Sequence, residues 1–291
     1  MINQTLCIGQ SVSLDLCLST MTKITFSKFN ATGNDFVVID NRDQAYSAAD
    51  KLQWAALCAL KSGIGADGVL LLEKSDNVDF KMRYINADGG EVEMCGNGAR
   101  AITAFAHEVL SQKKETYKFE TMNGVYECSL DPIYGYRLKM TELYDIGKIS
   151  LTDLDQKVHA KNSLYMNTGV PHAVFEIEKI LDYPVRDLGS VVRHDKRFPK
   201  GSNANFFEIL SPKHIRIRTF ERGVENETLS CGTGATATAL AASKFYGWKE
   251  EVVLETLGGR LAVKFSDDLK EIYLCGKVEK IFTGTVSKLS P

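Results

Sequence analysis

One short motif occurs twice in this chain, and that repetition constrains the fold more than any other feature. Met94-Cys95-Gly96-Asn97-Gly98-Ala99 and Ser230-Cys231-Gly232-Thr233-Gly234-Ala235 each place a cysteine ahead of a glycine-rich turn and an alanine-rich helical pattern. Cys95 and Cys231 lie 136 residues apart (231 − 95). The same offset relates Thr32-Gly33 to Thr168-Gly169, Gly65 to Gly201 and Tyr84 to Phe220, and Glu120-Thr121 recurs one residue short of it at Glu255-Thr256. Blocks that keep their order and nearly their register mark an internal duplication. The chain therefore reads as α/β (α+β), with two structurally similar domains facing each other about a pseudo-twofold axis. The expected boundaries are 21–144, carrying Cys95, and 145–276, carrying Cys231, with 277–291 a C-terminal segment returning to the first half.

Local patterns fill in the elements. Alternation and turn clusters predict strands at 23–29, 36–40, 69–73, 80–85, 117–120, 125–130 and 135–140, then at 173–177, 206–210, 215–220 and within 251–283. Periodicity predicts a helix over 48–61 with Ala48, Leu52, Ala55, Ala56 and Leu60 on one face, and a mostly helical stretch over 181–192. Each cysteine loop leads into a further helix, over about 97–110 and 233–246. Ala235–Ala242 carries no charge, and Ala99–Ala106 carries only Arg100. Helices so small and apolar all round belong at the centre of a domain.

Bulk properties exclude several classes. A net charge of −2 gives no electrostatic case for nucleic acid or an acidic membrane surface, and no apolar run is long enough to cross a bilayer. The seven cysteines are scattered, without zinc-ligand spacing. They read as reduced thiols in a cytoplasm. Residues 1–20 contain no Lys or Arg, so neither a secretory signal nor a transit peptide is expected. They read as a tail, or as sequence ahead of a true start at Met21.

The chemistry follows from the paired loops. The first turn of a helix has backbone N–H groups without partners and a partial positive charge. A cysteine at that entrance is expected to have a lowered pKa, and the N–H groups can hold a carboxylate or an enolate-like oxyanion. Two such loops facing one another would put a thiol on each face of a single carbon α to a carboxylate. One removes the α-proton as thiolate, and the other delivers a proton from the opposite side.

At these residues the chain resembles the diaminopimelate epimerases. The resemblance runs from about Lys23 to Thr285 and rests on Thr32-Gly33-Asn34-Asp35-Phe36, on Asn86-Ala87-Asp88-Gly89 leading to the first cysteine loop, on Pro171-His172, and on Glu221-Arg222-Gly223 leading to the second. It implies two halves, each a curved, mainly antiparallel sheet around a central helix, with the active site in the cleft between them. It implies a cofactor-independent and metal-free isomerase acting on a small amino acid, with a homodimer compatible. Cys95 and Cys231 would be the two bases. Gly96, Asn97, Gly232 and Thr233 would hold the reacting carboxylate, while Asn34, Asn86, Asn203 and Arg222 would read the non-reacting end. Glu221 and His172 would tune the thiols, Glu221 also lying near the substrate amine. The chain departs from a common family pattern at Val170, where many members have Asn, and at Gly68, where many have Gln.

Blander readings stand beside these. Cys58, Cys128 and Cys275 read as inert buried thiols. His172 alone would read as a structural histidine, Arg222 as a surface charge, Asn34 as a turn former, and Arg100 as packing support for a carboxylate. Rival functions are an amino or imino acid racemase of the same fold, a Cys231/His172 acyl-transferase or hydrolase, and a binding module without catalysis.

Overall fold

The computed structural model describes residues 23–141 and 143–287. The expectations for residues 1–20 and for a start at Met21 fall outside them.

The first half begins with β1 (Lys23–Ala31), β2 (Asn34–Asp40), α1 (Lys51–Cys58), β3 (Gly68–Glu73), β4 (Phe80–Asn86) and β5 (Glu91–Val92). It continues with α2 (Gly96–Val109), β6 (Thr116–Thr121), β7 (Gly124–Asp131) and β8 (Gly135–Lys139). After α3 (Thr152–Val158) the order restarts: β9 (Asn162–Asn167), β10 (Pro171–Glu176), α4 (Val185–Arg193), β11 (Asn203–Ser211), β12 (His214–Glu221) and β13 (Asn226–Thr228). Then come α5 (Gly232–Tyr246), β14 (Glu250–Thr256), β15 (Gly259–Phe265), β16 (Ile272–Gly276) and a last strand, β17 (Glu279–Ser287).

Strand pairing makes the duplication explicit. β2 runs parallel to β3 as β10 does to β11, β4 parallel to β6 as β12 does to β14, and the remaining pairs within each half are antiparallel. The two sheets join edge to edge where β8 pairs antiparallel with β16, Leu138 opposite Leu274. Two elements have no counterpart. One is α3, which the sequence reading did not anticipate. The other is β17, which returns to the first half and pairs antiparallel with β1, Lys23 opposite Ser287.

Each sheet curls around one helix. α2 contacts β1, β2, β3, β4, β7 and β8, and α5 contacts β9, β10, β11, β12, β14, β15 and β16. Alanine's helix propensity and small volume let strands approach from every side. Ala235, Ala237, Ala239, Ala241 and Ala242 are all fully buried. The hydroxyls of Thr103, Thr236 and Thr238 donate to the carbonyls of Ala99, Gly232 and Gly234 at 2.8, 3.0 and 2.8 Å, so these buried groups are satisfied within the helix. One apolar cluster runs through both halves around these helices, with smaller ones under α1 and under α3 and α4.

Helix α1 is shorter than its periodicity suggests and buries another face. Gln53, Trp54, Leu57 and Cys58 point inward, whereas Leu52 and Leu60 are 65% and 88% exposed. The indole of Trp54 decides the orientation by filling the core beneath β1 and β3 and donating to the Ser47 carbonyl at 3.0 Å.

Candidate active site

The two cysteines are the N-caps of the two central helices, both with extended backbone, at φ −134° for Cys95 and −122° for Cys231. That conformation lets an N-cap side chain reach back over the first turn. Cys95 Sγ accepts the Gly98 N–H at 3.5 Å, and Cys231 Sγ lies 3.5 Å from the Thr233 hydroxyl. The helix entrances meet across the junction of the halves. A Cβ built on Gly232 would stand 2.7 Å from Leu274 Cδ2 and 3.8 Å from Gly96 Cα, and the same Leu274 methyl lies 3.1 Å from the Cβ position of Gly96. Leu274, at the β8–β16 seam, thus underlies both first turns, and glycine is required where they crowd it.

Both cysteines open on one cleft of about 1110 Å³ between the halves. Asn34, Asn86, Cys95, Gly96, Asn97, Asn203, Glu221, Arg222, Cys231, Gly232 and Thr233 all contribute to its wall. His172 does not. It is fully buried behind the wall, beside Asn205.

The amides are held firmly. Asn34 Nδ2 donates to Asp67 at 2.8 Å, and its Oδ1 accepts from Asn97 Nδ2 at 2.6 Å. Asn97 also reaches the Ser230 hydroxyl at 3.5 Å, so one side chain links the first turn cluster, α2 and the second cysteine loop. Asn203 accepts the Arg222 N–H at 2.8 Å and donates to the Pro171 carbonyl at 3.0 Å. The Arg222 guanidinium donates to the Lys200 carbonyl at 3.2 Å and forms no ion pair with a carboxylate of the described residues, which leaves a cation on the wall for an incoming carboxylate.

The expected lowering of the thiol pKa does not hold. For Cys95, burial dominates. The N–H groups of Gly98 and Asn97 and the charge of Arg100 favour thiolate, but burial, aided by the Glu221 carboxylate, pushes the thiol up to about 11. Burial and Glu221 raise Cys231 further still, against the Thr233 hydroxyl and the Gly234 N–H. Glu221 is itself raised by burial, while Thr228, which donates to it at 3.0 Å, holds it down. Helix-terminal donors act in the expected direction, but desolvation of the charged form outweighs them. Cys58, Cys128 and Cys275 are buried, and burial pushes each up to about 12.

Several contributors lay outside the expected site residues. Arg100, read from the sequence as packing support for a carboxylate, pairs with no carboxylate among the described residues. It donates to Asn97 Oδ1, to the Thr32 hydroxyl at 3.3 Å and to the Lys277 carbonyl at 3.5 Å, and burial lowers its pKa to about 10. Thr168, the repeat equivalent of Thr32, donates to the Thr233 carbonyl at 3.1 Å. Tyr84 lines the cleft, donates to Asn86 at 3.3 Å and lies edge-on to Phe36. Its ring accounts for Gly68, since a Cβ there would lie 2.6 Å from Tyr84 Cε2 and 2.6 Å from the Ile85 carbonyl oxygen. The tyrosine ring fills the space a longer residue 68 would need.

Comparison with known proteins identifies the family. The family model described as diaminopimelate epimerase matches residues 26–149 and 164–281. A diaminopimelate epimerase of Aquifex aeolicus is 39% identical over 279 residues, covering 90% of this chain and 98% of its own, and one of Chlorobaculum tepidum is 38% identical, covering 89% and 99%. Among solved structures, a phenazine biosynthesis protein of the PhzF family from Bacillus anthracis superposes with a TM-score of 0.69 at 16% identity, covering 91% of this chain and 99% of its own. A hydroxyproline epimerase from Agrobacterium vitis superposes with a TM-score of 0.63 at 15% identity, covering 92% and 93%. At those identities the structures share the fold, whereas the family match and the relatives extend along nearly the whole sequence: the chain belongs to the diaminopimelate epimerase family of isomerases.

Proposed function

We propose that the protein interconverts LL- and meso-2,6-diaminopimelate by a two-base mechanism in which Cys95 and Cys231 act from opposite faces of one α-carbon. The observation that carries this reading is the pair of cysteine N-caps opening on one cleft from the two central helices. One thiolate takes the α-proton, the other thiol gives its proton to the far face, and the configuration inverts. The reverse reaction exchanges their roles. The first-turn N–H groups of Gly96, Asn97, Gly232 and Thr233 hold the carboxylate whose negative charge grows as the proton leaves. Arg222, with the amides of Asn34, Asn86 and Asn203, receives the other amino acid end.

Both thiols are raised by burial, so the free protein holds them protonated at neutral pH. Thiolate has to form with substrate in place, where the α-ammonium offsets the charge of Glu221 and of the thiolate. The wide cleft fits a closing motion that expels water once substrate is held. An acyl-transfer role for Cys231 with His172 as base is disfavoured, because His172 lies behind the wall and leaves the Cys95 loop without a task.

The test is incubation with LL-diaminopimelate in D₂O, followed at the α-carbons by NMR. Deuterium at one α-centre with meso product is the expected result, and Cys95→Ala and Cys231→Ala should each abolish turnover. Either variant turning over at the rate of the unsubstituted protein would end the two-base reading.

A further inference from the structure

Arg100 is a fully buried cation with no carboxylate partner among the described residues. Its Nη2 donates to Asn97 Oδ1, its Nη1 reaches the Thr32 hydroxyl and the Lys277 carbonyl, and its Nε has no partner. The ionisable groups that act on it are the thiols of Cys128, Cys95 and Cys275. A buried charge without a counter-charge is costly, and an apolar side chain of similar size is often the more stable choice. The position adds to the cost. Arg100 sits in the second turn of α2 and reaches back to Asn97, towards the helix end that is already positive. The second half makes room for it, since a Cβ on Gly276 of β16 would collide with Nη1.

The guanidinium also sets the direction of the amides on the wall. Arginine can only donate, so Asn97 Oδ1 must accept. Asn97 Nδ2 is then the donor to Asn34 Oδ1 at 2.6 Å and to the Ser230 hydroxyl at 3.5 Å, and Asn34 donates in turn to Asp67 at 2.8 Å. The other half has no such device. At the offset of 136, Thr236 stands where α2 has Arg100, and Thr233 where it has Asn97. Thr236 donates within its own helix, to the Gly232 carbonyl at 3.0 Å. Burial, Glu221, Thr233, Gly234 and Cys95 act on Cys231, with no cation among them, whereas Arg100 favours thiolate at Cys95. Of the three thiols around Arg100, only Cys95 lines the cleft.

We propose that Arg100 is a positioning residue of the first half-site alone: it fixes the Asn97 amide and reserves a buried positive charge for the anion that forms at the entrance of α2. The missing counter-charge is thus a transient one, a thiolate on Cys95. Its bearing on turnover rests on the two-thiol reading, but its effect on Cys95 is measurable without substrate.

The experiment is alkylation of the reduced full chain with iodoacetamide, the rates at Cys95 and Cys231 being read from their separate peptides by mass spectrometry. Cys231 serves as the reference within the same molecule. Arg100→Gln keeps a donor for Asn97 without the charge, and Arg100→Lys keeps the charge. In Arg100→Gln the Cys95 rate relative to Cys231 should fall about tenfold or more, as expected when a cation beside a thiol is removed, while Arg100→Lys should stay within about threefold of the original ratio. kcat for diaminopimelate should follow the same order. An unchanged ratio in Arg100→Gln would overturn the proposal. Equal losses in Arg100→Gln and Arg100→Lys would also overturn it, leaving Arg100 a packing residue. Arg100→Met provides a second uncharged variant that fills the space with apolar atoms, and the same fall in ratio is expected of it. If the unsubstituted protein does not turn over diaminopimelate at all, the functional reading fails while the alkylation result stands.

Discussion

At the residue scale, burial decides the chemistry of the site more than sequence neighbourhood does. The glycine and helix context of Cys95 and Cys231 was legible in the chain, and so was the direction of the pull on their protons. Enclosure was not, because it depends on Glu221, Leu274 and the opposite half arriving around them. His172 was similarly half-legible: its place after Pro171 marked it, but only the packed strands show Asn205 beside it. The contact between Gly68 and Tyr84 gives a direct test. Gly68→Gln should lower stability by about 1–3 kcal/mol, the usual range for overpacking, and Tyr84→Ala in the same chain should recover only the part due to the ring, the Ile85 carbonyl contact remaining. Urea unfolding of both variants and the double variant measures the coupling. Additive losses would mean the two side chains do not compete for space.

At the scale of elements, a cysteine stands at the N-cap of each central helix, and in α2 its side chain also makes the capping hydrogen bond. In α2 the Cys95 sulfur accepts the Gly98 N–H, a task usually given to Ser, Thr, Asp or Asn. Capping and catalysis should therefore separate. Cys95→Ser keeps an acceptor and should stay within about 0.5 kcal/mol of the original stability, whereas Cys95→Ala should lose about 1 kcal/mol. Neither should turn over substrate. Thermal unfolding beside the D₂O assay reads both, and equal stability in the two variants would deny the sulfur a capping role. Helices α2 and α5 were legible because alanine runs free of charge have few places to go but a core. The inner face of α1 was not, since Leu52 and Leu60 suggested one side while Trp54 claimed the other. Strands as short as β5 and β13 leave no periodicity to read.

At the scale of the molecule, the described thiols act together. Burial first raises Cys58, Cys95, Cys128, Cys231 and Cys275 in the folded protein. The unfolded chain therefore loses thiol protons at lower pH than the folded one, and the stability that these groups contribute is complete below the ordinary thiol value. It drains away as pH climbs from about 9 through the raised range. His172 works at the other end. Burial lowers it to about 3, so unfolding takes up a proton as pH falls below the ordinary histidine range. Urea midpoints measured from pH 4 to 11 should form a plateau with both shoulders falling, and His172→Gln should flatten the acid side. A midpoint that keeps rising above pH 9 would contradict the burial of the thiols.

The return of β17 to β1 carries a consequence for how the protein is made. When the last strand of the first half, β8, has been made, the strand that covers β1 is still missing, and roughly 150 residues must be translated before it exists, which at about 5–20 residues per second takes on the order of 7–30 s. Throughout that interval the backbone of β1 offers an unpaired edge to any other nascent chain. In this chain the beginning is finished only by the end.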